Sequence, residues 1–141
     1  MPEIVIWPAI YLGLIIGIYE IILLQKDVQV PMHRFSHAIQ SFISIIIAVF
    51  ASMNVDFILQ TFTFLQGIQF VNNPLIFRII IGLIVIIKIH LVSAAVSARG
   101  VGRAYGMREK FVHTFIIGIL IVVAPYIWGL IKPIVSEFLP V

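Results

Sequence analysis

The chain contains no cysteine. That absence excludes disulfides, thiolate-bound zinc, iron–sulfur clusters and cysteine-ligated copper together. Charge is nearly as scarce: 11% of the 141 residues are Asp, Glu, Lys or Arg, where a soluble domain carries about 25%. With 62% hydrophobic residues and a mean hydropathy of +1.17, no aqueous domain of this size could hide so much apolar surface. The solvent is expected to be lipid. Acids are the scarcest charge, six against nine bases, which sets the net charge at +3. The pI near 9.5 arises from loop bases and gives no reason to expect nucleic acid. The start, Met1-Pro2-Glu3, has no basic segment, and the apolar run behind it is longer than a signal-peptide core, so a retained first span is predicted.

What is abundant is long apolar runs. Four are long enough to span a bilayer, at about 4–24, 34–54, 75–98 and 111–131. They predict an all-α, polytopic membrane protein, a single transmembrane domain over 1–141 folded as an antiparallel four-transmembrane-helix bundle. Pro8 falls in the first turns of its helix, where a missing N–H costs little, and Pro125 is expected to kink the fourth span. Between the second and third spans, Val55 to Asn73 mixes Asp56, Gln60, Gln66 and Asn72 with Phe57, Phe62, Phe64 and Phe70. It is too polar to cross and too aromatic to float free, so an interfacial or re-entrant segment is predicted there.

Positive charge orients the spans. Lys26, Arg34, Arg99, Arg103, Arg108 and Lys110 fall on one side, with only Arg78 and Lys132 on the other. The expected topology is a multi-pass protein of the cell membrane with its basic loops cytoplasmic and both termini outside. Arg99, Arg103, Arg108 and Lys110 are candidates for binding lipid headgroups of the bilayer. Gly100, Gly102 and Gly106 in the same loop are read as a hinge, since no strand precedes them as a nucleotide loop requires.

Lys88 is the most informative residue. If Arg78 and Lys88 marked opposite surfaces, Ile79 to Ile87 would have to cross the bilayer, yet that segment is only about 13 Å long against a hydrocarbon core of about 30 Å. Lys88 therefore lies within the membrane. An unpartnered buried charge is costly, and Glu20 is the acid nearest its level, so a Glu20–Lys88 pair is expected. Glu20, His37, Ser41, Lys88, His90 and His113 together form a predicted buried polar network on the cytoplasmic half. Lys88 and His90 are about 200° apart around their helix, so one of them faces away from the bundle centre. That argues for a protein partner in the membrane.

Helix packing is expected from small residues: Gly13 and Gly17 on the first span, Ser44 and Ala48 in the second-span stripe of His37, Ser41, Ser44, Ala48 and Ala51, and Gly118 on the fourth. Gly13 and Gly17 could instead mediate a homodimer.

The function expected is a small accessory or structural subunit of a larger membrane protein complex, a hetero- or homo-oligomer, with no catalytic residue in the isolated chain and no cofactor. The alternative is a histidine-ligated metal-binding or b-type haem subunit of a membrane oxidoreductase. Its candidate metal ligands are His33, His37, His90, His113 and Glu20, because histidines four apart share a helix face. A third class, proton or ion conduction, lacks an acid at the membrane middle on the outward route.

Overall fold

The computed structural model describes residues 3–27, 31–98 and 110–138, with side chains for all of these except 31–34 and 92–98. Among the described residues all regular secondary structure is helical, without strands. The elements are α1 (Trp7–Asp27), α2 (Pro31–Met53), a short α3 (Val55–Thr61) followed by a 3-10 turn (Thr63–Gly67), α4 (Pro74–Ala98) and α5 (Phe111–Val135). α1, α2, α4 and α5 are long and apolar enough to cross a membrane.

The helix ends differ from the hydropathy boundaries for local reasons. α1 starts at Trp7 rather than near Ile4 because Val5 is held elsewhere: its N–H donates to Asn54 Oδ1 at 2.7 Å and its carbonyl accepts from Asn54 Nδ2 at 3.1 Å. The helix then runs past Leu24 to Asp27, since Gln and Lys are good helix formers whatever their polarity. Pro31 opens α2, the position where its fixed φ suits a helix start. α5 continues through Pro133 to Val135, beyond the expected end near Ile131. There the missing N–H of Pro133 frees a single carbonyl, that of the exposed Gly129.

α1 packs chiefly on α2 and α4 chiefly on α5, while α2 touches both α4 and α5 and α1 touches α5. Among the described residues no Cα atom of α1 lies within 8 Å of one in α4. One end of the assembly gathers Val5, Ser52, Asn54 and Arg78; the other gathers Asp27, Lys110 and His113. These are called the Asn54 end and the Asp27 end below. Leu12, Ile16, Ile45, Val49, Ile89, Ile117 and Ile121 form the centre of the apolar interior. Branched side chains interdigitating there supply dispersion contacts, the main source of helix association when the outside is itself apolar.

Two close crossings need glycine. A Cβ on Gly82 of α4 would lie 2.9 Å from Val122 Cγ2 and 3.0 Å from the carbonyl oxygen of Gly118 on α5. A Cβ on Gly13 of α1 would lie 3.3 Å from the Cα of Ile46 on α2. Gly13 and Gly17 are thus buried against α2, which corrects the homodimer alternative: neither is on an outer face.

Candidate functional site

Among the described residues, hydrogen-bonded polar side chains between the helices fall into three groups. At the Asp27 end, the last residue of α1 reaches the first turn of α5. Asp27 Oδ2 accepts from the backbone N–H of Lys110 at 3.0 Å and lies 2.5 Å from His113 Nδ1. The Lys110 ammonium is 3.6 Å from Oδ1, as an ionic contact. A carboxylate can only accept, so His113 Nδ1 carries the proton of this pair. Lys110 is the N-cap residue of α5 and has no side-chain cap of its own. Asp27 therefore supplies from another helix the negative group that a helix N-terminus favours.

At the Asn54 end the acceptors are backbone carbonyls. Pro125 lies inside α5 and has no N–H to offer, which leaves the carbonyl four residues earlier, Ile121, without its helical donor. Ser52 Oγ of α2 donates to that carbonyl at 2.7 Å. The carbonyl of Ser52, in the last turn of α2, accepts from Arg78 Nε at 3.1 Å. The same guanidinium sits 5.8 Å from the centre of the Tyr126 ring. Asn54 holds Val5 as described and also donates to the carbonyl of Phe50 at 2.8 Å.

The third place is the groove between α2 and α4. Lys88 Nζ donates to Ser44 Oγ at 2.6 Å, and Ser44 Oγ donates in turn to the carbonyl of Gln40 at 2.6 Å. His37 Nδ1 and Ser41 Oγ share a hydrogen bond of 3.0 Å one turn away. His37, Ser41 and Ser44 are buried, but Lys88 itself is exposed on the flank of α4. This corrects its assignment to a buried network. The reason is the helix arrangement: α4 packs on α2 and α5, so the ammonium goes to a hydroxyl on α2 in place of the expected Glu20 on α1.

Among the described residues the other candidates do not form one cluster. Glu20 is completely buried on α1. His90 is half-buried, edge-on to Phe111 at 5.7 Å. His113 belongs to the Asp27 group. Among the described residues no three of His, Asp or Glu stand close enough to hold a metal ion. The side chain of His33 lies outside the described residues, as do Arg99, Arg103 and Arg108. Ser44, Ala48 and Gly118 are buried in helix contacts. At the Asn54 end a cavity of ≈ 580 Å³ opens between Trp7, Met53, Pro125, Trp128 and Lys132.

No family model, curated protein or solved structure matches the chain. The residues themselves must carry the functional argument.

Several of those residues escaped the sequence reading. Asp27 continues one face of α1 through Gly13, Gly17, Glu20 and Leu24, all of them buried, and that 4-3-4-3 spacing is the signal that could have found it. Gly82 sits four residues before Ile86 on the face of α4 that meets Gly118. For Ser52 and Asn54 the sequence holds no such spacing signal, because Ile121 and Val5, the backbone partners they reach across to, lie on distant segments.

Proposed function

We propose that the chain is an antiparallel four-transmembrane-helix bundle serving as a small structural subunit of a larger membrane protein complex, with its basic loops cytoplasmic and both termini outside. What carries this reading is where the inter-helix polar groups are spent. Ser52, Asn54, Arg78 and Asp27 each bind a backbone group of another element. These bonds fix helix positions. In hydrocarbon such groups must be satisfied internally, and satisfying them through neighbouring helices makes a rigid unit. A rigid unit with a largely apolar exterior, including Ile15, Ile47, Ile84 and Leu130, suits lipid on most sides and a packed neighbour on the rest. The α3 and 3-10 segment, with exposed Phe62, Phe64 and Phe70, fits the membrane interface, where aromatic rings are enriched.

The experiment is native mass measurement after gentle detergent extraction from cells that make the protein. The expected result is a species well above the 15.9 kDa of one chain, containing other membrane polypeptides. A lone 15.9 kDa species in every detergent tried would end the subunit reading.

A further inference from the structure

Taking the membrane reading above as its basis, we infer that the groove between α2 and α4 docks one membrane-spanning helix of a different protein, and that this helix carries a carboxylate at the level of Lys88. The groove has a volume of ≈ 220 Å³, with apolar walls that include Ala48 and Ala51 on α2 and Ile81 and Ile84 on α4; Lys88 and Ser44 close one end. Its rims continue onto exposed aliphatic side chains, Ile43 and Ile47 on one helix and Ile87 and Leu91 on the other. The apolar lining and aliphatic rims suit an apolar helix laid lengthwise between two others.

Depth is what distinguishes Lys88 from a lysine that reaches for water. Ser44, its hydrogen-bond partner, lies about 13 Å from the Met53 end of α2 and about 20 Å from the Pro31 end at about 1.5 Å per residue. Lys88 itself lies about 15 Å from the Ala98 end of α4. Its ammonium is bonded near the midpoint of the helices instead of stretching toward either surface. A charge at that depth and facing outward belongs against protein or a water-filled cavity. Ser44 takes one of its three protons, and among the described residues Lys88 has no other polar partner. Two donors are thus left for an acceptor beside the groove.

Charge complementarity selects the occupant. A second copy would have to bring an acid of this same chain to the middle of the span. The six acids are Glu3, Glu20, Asp27, Asp56, Glu109 and Glu137. Glu20 is sealed inside, Asp27 is engaged at the helix end, Glu3, Asp56 and Glu137 lie at or beyond the Asn54 end, and Glu109 precedes α5. A copy docked on this face would offer Lys88 another Lys88. The carboxylate must come from a different polypeptide, where a desolvated Lys–carboxylate pair also fixes register along the helix.

The test uses the full chain in phosphatidylcholine vesicles. Because the chain lacks cysteine, a single donor dye can be placed at Ser136→Cys. The probe is an acceptor-labelled synthetic Leu/Ala spanning helix with one central Glu, and energy transfer reports association. The central-Glu peptide should associate about tenfold more tightly than its central-Leu version or one with the Glu moved to a terminal turn. Lys88→Arg should retain the preference and Lys88→Met should abolish it. Equal association of the Glu and Leu peptides, or a preference that persists in Lys88→Met, overturns the inference. So does Lys88-dependent transfer between two labelled copies of the chain, or a preference erased by adding phosphatidylglycerol, which would assign the site to lipid. The native mass measurement separates the two readings: a heavy species found together with equal association of the Glu and Leu peptides sinks this inference and leaves the subunit proposal standing.

Discussion

At one end of the helices, Ser52, Asn54 and Arg78 divide the fastening among five backbone carbonyl and amide groups on three segments. At the other, a single carboxylate, Asp27, holds a backbone amide, an imidazole and an ammonium. The first arrangement is distributed and almost uncharged, and the second is concentrated and ionic. Bonds shared among several side chains fail one at a time, whereas a carboxylate that three donors surround takes all of its contacts with it. The Asp27 end should therefore respond most to one substitution, and the Asn54 end should respond in separable steps.

The largest effect is expected from Asp27→Ala. The Asp27 side chain is fully inaccessible and the His113 side chain is only 20% exposed. Removing the acid strands a partly buried imidazole and an uncapped helix start, a change worth about 3–5 kcal/mol where one member of a buried pair is deleted. Thermal unfolding in detergent should show a large drop in midpoint. The contrast within the same end sharpens the point: the Lys110 side chain is 71% exposed, and an exposed pair contributes about 0–1 kcal/mol. Lys110→Ala should barely move the transition. Equal effects of the two substitutions would mean that the ammonium, and not the imidazole and amide, organises this end.

Asn54→Ala comes next. It removes two bonds to Val5 and one to Phe50, and at about 0.5–1.5 kcal/mol each, less the share that water recovers at a helix end, the loss should be about 2 kcal/mol. It should also be local. Hydrogen exchange should speed up at the Val5 amide while the amides of the Asp27 end stay protected. A loss of protection spreading to Lys110 would show that the two ends unfold as one unit, against the separable behaviour expected here.

How far these features could be read from the sequence follows from their range. The four long helices are legible because composition over some twenty consecutive residues decides them, and proline at the start of α1 and α2 is tolerated for a reason visible in the sequence. The helix ends are less legible, since hydropathy stops at Leu24 while the helix and its buried face continue to Asp27. The helix arrangement is not legible at all from span order. Pairing Glu20 with Lys88 requires α1 and α4 to be neighbours, whereas α4 packs on α2 and α5 and Lys88 bonds Ser44 of α2. The depth of Lys88 likewise predicts burial, although depth along a helix axis says nothing about which way round the helix a residue faces.

Ser52 is the instructive case, because half of its interaction could be read and half could not. Pro125 announces that the carbonyl of Ile121 lacks a helical donor, but no local pattern says that the donor is a hydroxyl 69 residues away. If the bond exists to repair what the proline breaks, its value must depend on the proline. Ser52→Ala alone should cost about 1 kcal/mol, in the range of polar contacts between membrane helices. With Pro125→Ala in place, residue 125 supplies its own N–H to Ile121, and the same Ser52→Ala change should cost much less. A double-mutant cycle of unfolding free energies isolates that difference. Coupling of zero between positions 52 and 125 would mean that the serine is an ordinary packing residue whose short distance to Ile121 contributes nothing to holding α2 against α5.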